Sequence, residues 1–297
     1  MAISVLSETS YLASHEQVTG GAMGITRKAS IEWDDGSIRK CYIKVYPKDD
    51  RIRKILNELT GFTLAKALGI LQPDSAALLP LSKIFYSDFA TVTDINSDEI
   101  VWAWVTTECG SSVKGIFHLN NFEETIQTDP TDTINKLIQA YSLVCNQKNL
   151  PSIIAFDDFI ANDDRNIGNV VMLGDGNMGI IDHGEILGGI NWIGELIALD
   201  KTQAFNNKLL NILNEQTSLK DQTKFTTKHK AVEAANQHKA AFISVQDVLI
   251  TWWKNLLEVS SIPIDEQPKY VAHLKDFLHY RSSQPTSLFA NRIGLVA

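Results

Sequence analysis

The chain has 297 residues, of which 44% are hydrophobic and 21% are charged, a composition that is ordinary for a globular protein. Its formal net charge of −8 excludes a broad electrostatic attraction to nucleic acid and argues against binding to anionic membranes. The three cysteines, Cys41, Cys109 and Cys145, are widely separated, which indicates free thiols rather than a disulfide framework or zinc site. Without a signal-peptide pattern or a long apolar run, we expect a cytoplasmic protein.

Two strands are predicted near the amino end, at residues 25–33 and 38–46, after a polar lead-in. The Asp-Gly turn between these two β-branched and aromatic runs favours a hairpin. Three glycines, Gly20, Gly21 and Gly24, stand just before it and could let backbone N–H groups approach a phosphate. Glycine clusters also form tight turns, and the chain contains neither G-x-G-x-x-G nor the Walker sequence.

One lysine, Lys44, stands in the otherwise apolar run CYIKVY at residues 41–46 of the second strand. The period of two predicts that it shares a face with Tyr42, while Cys41, Ile43 and Val45 point the other way. A lysine in a strand is commonly an edge residue that reaches into water. The element that follows favours a different interpretation.

Apolar residues at helical spacing predict a helix over residues 51–68, which ends at Gly69. Glu58 lies in this helix near the border of the apolar stripe. A strand lysine followed by a helix glutamate is the ion pair with which kinases hold the α- and β-phosphates of a nucleotide. The alternative is that Glu58 is a solvated helix carboxylate.

Two more strands are predicted at residues 76–84 and 99–107. The chain then becomes mainly helical, with helices expected at residues 131–144, after Pro151, and through most of residues 196–280. No internal repeat or low-complexity linker interrupts it. The sequence therefore predicts a strand-rich amino-terminal part and a helical remainder.

A loop rich in carboxylates and carboxamides leads into a predicted hairpin, with strands at residues 170–173 and 178–181. The Gly-rich turn between these strands folds Asp182 back beside Asn169. One carboxylate that orients a hydroxyl, here Asp164, and two oxygen ligands for magnesium suit phosphoryl transfer. A solvated turn or a calcium loop is the alternative, but Ile167 and Leu173 occupy the positions at which an EF-hand needs Gly and Glu.

The sequence NDDRNIGN at residues 162–169, followed by IDHG at residues 181–184, resembles the catalytic loop and the metal loop of the HipA-like kinases. These are relatives of the protein kinase and phosphatidylinositol kinase folds, and their loops commonly read N-x-D-R-H-x-x-N and I-D-[FH]-G. Asn166 stands where that family usually has His. The resemblance spans roughly residues 20–192, and its specific part is confined to these two loops.

The resemblance implies an α+β, two-lobed protein-kinase-like fold. It would consist of a small antiparallel β lobe with one helix, residues 1–108, and a larger, mostly helical lobe, residues 109–297. The linker between the lobes would contact the adenine edge of ATP through its backbone, which makes Thr106, Thr107 and Glu108 candidates by position.

By the same resemblance, Asp164 matches the catalytic aspartate, and Asn169 and Asp182 match the Mg²⁺ ligands. Lys44 would clamp the phosphates and Glu58 would orient it. The implied activity is ATP- and magnesium-dependent transfer of the γ-phosphoryl group to a protein serine or threonine, and the protein could be the toxin of a toxin–antitoxin pair with an antitoxin as partner. The alternatives are a nucleotide-binding interaction module without catalysis, and a lipid or small-molecule kinase, which the acidic charge disfavours.

Overall fold

The computed structural model describes residues 3–18, 24–89, 100–190 and 192–295, without the side chains of residues 193 and 194. The chain divides into two compact units. The sheet unit comprises Met1–Leu59 and Pro73–Cys109, and the helical unit comprises Thr60–Gln72 and Gly110–Ala297. The predicted α+β class, with a small sheet unit and a larger, mostly helical unit, is confirmed.

The sheet unit is built on six strands in the spatial order β1-β5-β6-β4-β3-β2. All neighbours pair antiparallel except β1 and β5, which are parallel. The strands are β1 (Ser4–Val5), β2 (Tyr11–Val18), β3 (Ile25–Glu32), β4 (Ile38–Val45), β5 (Ala76–Pro80) and β6 (Trp102–Thr107).

The predicted hairpin of β3 and β4 is confirmed, with eight residues of each strand in continuous register. Gly36 closes its turn at φ 76°, a conformation that suits a residue without a β-carbon. Cys41, Ile43 and Val45 are fully buried in the core of the sheet unit, as the period of two predicts. Lys44 therefore lies on the opposite face.

One strand of this sheet was not predicted, and another is shorter than predicted. The polar lead-in contains β2, an edge strand whose pairing with β3 is interrupted by register shifts, so its sequence lacks a clean alternation. The strand predicted at residues 76–84 ends at Pro80, which has no N–H for the ladder, and a 3₁₀ helix follows over Lys83–Phe89.

Helix α1 (Arg51–Ala67) follows β4 and ends before Gly69, which has φ 68°, as predicted. Its first nine residues belong to the sheet unit and the rest to the helical unit. The helix therefore belongs to both units, which the sequence did not indicate. The predicted division after residue 108 falls one residue before the end of the sheet unit.

The helical unit contains a three-stranded sheet in the order β7-β8-β9, formed by β7 (Ser111–Ser112), β8 (Val170–Met172) and β9 (Met178–Ile180). Its helices are α2 (Val113–Ile116), α3 (Phe122–Thr128), α4 (Pro130–Cys145), α5 (Leu150–Phe159), α6 (Trp192–Ala198), α7 (Lys208–Glu215), α8 (Asp221–Ala235), α9 (His238–Glu258), α10 (Gln267–Ser282) and α11 (Thr286–Arg292). None of the helices in the described ranges is long and apolar enough to cross a membrane.

Helix α5 leads directly into the loop of interest, and the carboxy-terminal helices hold its end. Arg281 of α10 is buried and donates to the main-chain oxygens of Asp158 and Phe159. Arg292 of α11 binds both carboxylate oxygens of Asp158, at 3.0 and 2.6 Å. Arg281 gives a donor to the carbonyl oxygen of Phe159, the last residue of α5, while the carbonyl oxygen of Asp158 also accepts from the N–H of Ala161. The contacts of Arg281 and Arg292 thereby fix the point from which the loop departs.

Candidate active site

The lysine of β4 and the glutamate of α1 form an ion pair within the sheet unit. Lys44 Nζ lies 2.7 Å from Glu58 Oε1, and the Glu58 side chain is only 2% exposed. The hydroxyl of Tyr46 donates to the same oxygen at 2.8 Å. Tyr46 is the first residue after β4, which ends at Val45. Donors from β4 and from the residue after it therefore hold the Glu58 carboxylate against the ammonium group of Lys44.

The glycines before β3 are only partly described. Gly20 and Gly21 lie outside the described residues. A β-carbon on Gly24 would lie 2.8 Å from the carbonyl oxygen of Val45 and 3.0 Å from the ring of Tyr46. Close packing on the neighbouring strand is thus a sufficient reason for glycine at position 24, and its phosphate contact stays a prediction.

The adenine-contact candidates stand at the end of β6. Thr106 pairs with both neighbouring strands, the N–H of Thr107 donates to Ser75 O, and the N–H of Glu108 donates to Lys40 O. These two N–H groups are therefore used within the sheet. A contact with a nucleotide base would have to use other atoms of these residues.

In the helical unit, the loop at residues 162–169, which matches the family's catalytic loop and is called the catalytic loop below, is stabilised by its own carboxamides. Asn162 is buried and its Oδ1 accepts from the N–H of Asp164 at 2.9 Å. Asn169 Nδ2 donates to the carbonyl oxygen of Asp164 at 2.8 Å. The main chain of Asp164 is thus held on both sides, which keeps its carboxylate at a defined position.

Asn166, the departure from the family pattern, has a structural role in this loop. Its Oδ1 accepts from the N–H of Gly168 at 2.7 Å, and its Nδ2 approaches the carbonyl oxygen of Asp164 at 3.2 Å. A short carboxamide side chain can bond to nearby backbone in this way. The loop therefore keeps its shape without a histidine at this position.

The hairpin of β8 and β9 places the second acidic residue, as predicted from the sequence. Val170 pairs with Ile180, and the N–H of Ile181 donates to the carbonyl oxygen of Asn169 at 3.1 Å. Asp182 is the next residue and adopts φ 65°, a conformation that Asp tolerates better than most residues. Asp182 therefore comes directly after Ile181, the residue that is hydrogen-bonded to the backbone of Asn169.

The chemistry of this pair fits a magnesium ion. Because Asn169 Nδ2 faces the loop, its Oδ1 is turned away from it, and no described residue donates to that oxygen. Together with the Asp182 carboxylate it offers hard oxygen ligands. Mg²⁺ commonly takes one or two protein ligands and completes its shell with water and phosphate oxygens. No group of three or more His, Cys, Asp and Glu suited to a metal occurs in the described ranges.

A buried arginine joins the catalytic loop to the metal loop (residues 181–184). Arg165 is 1% exposed, and its Nε donates to Asp157 Oδ1 at 3.2 Å. Its Nη1 donates to the carbonyl oxygens of Ile181 and Asp182, and its Nη2 lies 3.1 Å from Nδ1 of His183. One guanidinium therefore fixes the backbone on which Asp182 is carried.

Asp157 on α5 is the acidic partner of that arginine. Burial raises the pKa of its carboxyl to about 6, although the charge and hydrogen bonds of Arg165 act in the opposite direction. Asn162 Nδ2 also approaches its Oδ1 at 3.2 Å. The sequence analysis assigned no role to Asp157 or Arg165. The arginine in the loop pattern N-x-D-R-H-x-x-N indicated that Arg165 could matter. Its partners could not be read from the pattern, because Asp157 and His183 lie on other elements.

A second residue that the sequence analysis missed contacts Asp164 itself. Lys208, the first residue of α7, places its Nζ 2.7 Å from Asp164 Oδ1. It is 44 positions away along the chain. No spacing rule connects the two.

An open cavity of about 430 Å³ lies beside the catalytic loop within the helical unit. Asp163 stands on one side of it, and Asp200 and Glu195 contribute further carboxylates. Leu199 and Phe205 contribute apolar surface. The cavity offers space beside Asp163, the residue before Asp164, for a group larger than a water molecule.

The chain was compared with protein-family models, with curated proteins and with solved structures, and one of the solved structures that it resembles is a kinase. No family model matches the chain, and no curated protein matches it. The kinase CtkA of Helicobacter pylori, described as proinflammatory, aligns over 99% of this chain and 100% of its own, at 12% identity and a TM-score of 0.44. A similarity of this size does not make the chain a member of that protein's family.

Proposed function

We propose that the protein is an ATP- and magnesium-dependent phosphotransferase that acts on a hydroxyl group, with a protein serine or threonine as the acceptor. The observation that supports this most directly is the hairpin of β8 and β9 together with the loop before it. Asp164 is held by its own loop, and strand pairing joins the backbone of Asn169 to Ile181, the residue before Asp182. These are the oxygen groups that phosphoryl transfer requires.

Each residue has a definite task in this proposal. Asp164 orients the acceptor hydroxyl and accepts its proton while the acceptor oxygen bonds to the γ-phosphorus. The bond from that phosphorus to the bridging oxygen breaks, and its electron pair leaves with ADP. Asn169 and Asp182 would hold magnesium, which neutralises phosphate charge when bound. Lys44, oriented by Glu58, binds the α- and β-phosphates.

The ion pair in the sheet unit supports the nucleotide part of the proposal. A lysine whose side chain is 15% exposed and bound to a glutamate that is 2% exposed is costly to desolvate. Such a pair is retained most readily where the ammonium has a ligand to hold. The open cavity beside Asp163 supports an acceptor of the size of a peptide side chain.

The test is incubation of the purified protein with γ-labelled ATP and Mg²⁺, with the protein itself and dephosphorylated casein as acceptors. We expect labelled phosphoserine or phosphothreonine. Asp164→Ala should lower transfer by about 10²- to 10⁴-fold while ATP binding is retained. Unchanged incorporation in Asp164→Ala would refute the assignment. ATP binding without any transfer by the wild type would identify an interaction module instead.

A further inference from the structure

We propose that Lys208 is a catalytic residue of the same site, whose ammonium group binds the phosphoryl group while it is transferred. This inference rests on the proposed function and adds a cation to it. It starts from the contact of 2.7 Å between Lys208 Nζ and Asp164 Oδ1. Within the described ranges, this is the shortest contact that the Asp164 carboxylate makes, since Asn166 and Asn169 approach its oxygens only to 3.4 Å.

The position of Lys208 is fixed by the residue before it. Asn207 is the N-cap of α7, and its Oδ1 accepts from the N–H of Leu210 at 3.0 Å. Its Nδ2 donates to the carbonyl oxygen of Ile154 on α5 at 2.8 Å, in a buried environment. The start of α7 is therefore attached to the helix that leads into the catalytic loop. Lys208 therefore begins a helix that is hydrogen-bonded to α5, and Asp164 lies in the loop that follows α5.

Stabilisation of α7 does not explain the positive charge of Lys208. The first turn of a helix favours negative side chains, because the helix dipole is positive there. Lys208 places a cation at this unfavourable end. The pair with Asp164 is also 37% and 41% exposed, and ion pairs this exposed add little to stability. The charge is thus better explained by the chemistry at Asp164 than by folding.

The chemistry at Asp164 requires a cation. The acceptor oxygen must be within hydrogen-bond reach of the Asp164 carboxylate and in line with the γ-phosphorus, so the phosphoryl oxygens come within a few ångströms of Lys208 Nζ. An ammonium group attached to Oδ1 leaves Oδ2 for the acceptor hydroxyl. It can transfer its hydrogen bonds to the phosphoryl oxygens as negative charge accumulates on them.

The opposite role is a lysine that blocks the acceptor position, and it predicts the opposite change in activity. Removal of a blocking lysine would raise activity. Removal of a catalytic lysine would lower it, so one variant separates the two.

The first experiment measures binding, which needs no acceptor. Lys208→Met is compared with the wild type for binding of Mg-ADP and of Mg-ADP with aluminium fluoride, which mimics the phosphoryl group in transfer. We expect the affinity for the aluminium fluoride complex to fall by about tenfold or more, with the affinity for Mg-ADP unchanged. Equal loss for both ligands, or no loss, overturns the inference.

The second experiment measures turnover with γ-labelled ATP. Lys208→Met should lower kcat by about 10²-fold, and the KM for ATP should change little. Lys208→Arg should recover part of the rate because it keeps the charge, and it also serves if the methionine variant does not fold. The matched control is Lys201→Met, since Lys201 is 38% exposed and pairs with Asp276 at 2.6 Å. We expect this control to behave as the wild type.

The outcomes separate this inference from the proposed function. If the wild type transfers phosphate and Asp164→Ala does not, but Lys208→Met is as active as the wild type or more active, the inference about Lys208 is wrong and the kinase assignment stands. If the wild type transfers no phosphate and shows no preference for the aluminium fluoride complex over Mg-ADP, both are wrong.

Discussion

Gly61 in α1 and His183 in the metal loop pack so closely that a β-carbon on Gly61 would lie 2.4 Å from both Cβ and Cγ of the histidine. Real β-carbons do not approach other atoms to this distance. A glycine in the interior of a helix normally costs about 0.5 to 1 kcal/mol relative to alanine. Glycine is retained at this position because it makes room for His183, which belongs to the segment that carries Asp182.

The first prediction follows from this contact. Gly61→Ala should lower the free energy of unfolding by about 1 to 3 kcal/mol, as overpacking does, although alanine is the better helix former. Urea unfolding measures this change. The control is Gly174→Ala in the exposed hairpin turn, where a β-carbon meets no atom within 4 Å. A stabilised Gly61→Ala variant would contradict the packing described here.

The second prediction concerns the buried pair of Asp157 and Arg165. Asp157→Ala leaves a guanidinium that is 1% exposed without its carboxylate, which should cost about 3 to 5 kcal/mol. Asp276→Ala, which breaks the exposed pair with Lys201, should cost less than about 1 kcal/mol. Both values come from urea unfolding at neutral pH. Similar losses in the two variants would show that the buried arginine is not held as described.

The third prediction is a pH dependence that arises from His238. This residue is buried and stacks on Phe159, with ring centroids 4.7 Å apart. Burial lowers the pKa of its imidazole from 6.5 to about 4. As the pH falls, the unfolded chain takes up the proton first. The stabilisation that is present above pH 6.5 is therefore lost as the pH falls. The free energy of unfolding should decrease by up to about 3 kcal/mol between about pH 6.5 and pH 4.

Measurement of this dependence requires a reference, because Asp157 acts in the opposite direction. Its pKa is raised from 3.8 to about 6, so its favourable contribution is complete below pH 3.8 and is lost as the pH rises through about 6. The difference in the free energy of unfolding between the wild type and His238→Gln reports the contribution of this histidine alone. This difference should narrow as the pH falls from 6.5 to 4. A constant difference would contradict the prediction.

The fourth prediction is a coupling between Lys44 and Glu58. Lys44→Met removes the ammonium closest to a carboxylate that is 2% exposed, so it should cost more in the wild type than in a Glu58→Gln background. The coupling free energy from the double-mutant cycle should be about 1 to 3 kcal/mol. Unfolding of the four proteins in urea gives this value. A coupling within error of zero would show that the two groups do not interact in solution.

Most of the fold could be predicted because its signals are local. The turn at Gly36, the end of α1 before Gly69 and the hairpin of β8 and β9 each depend on residues within a few positions of one another. Strand β2 was missed because its side chains do not alternate cleanly. The extent of β5 was overestimated because its apolar run continues past Pro80, where the ladder stops.

The candidate site shows the same division. Lys44, Asn169 and Asp182 could be placed on one strand or one hairpin from spacing alone, because strand periodicity and turn geometry act over short distances. Arg165 was visible in the sequence, but its bonds to Asp157 and His183 depend on how α5 and the metal loop pack. The adenine-contact candidates could be placed at the end of a strand, but only the pairing of that strand shows that the N–H groups of Thr107 and Glu108 are used in the sheet.

The sequence by itself determined the types of the elements with strong local signals, the ends of those elements, and the order of the acidic loop and its hairpin. Only the tertiary structure decided that Lys208 reaches Asp164 and that Gly61 makes room for His183. The physical reason is the range of the interactions. Backbone propensities and hydrogen-bonded turns are set by neighbours in the chain, whereas side-chain packing and ion pairing depend on distances in space that no sequence spacing records.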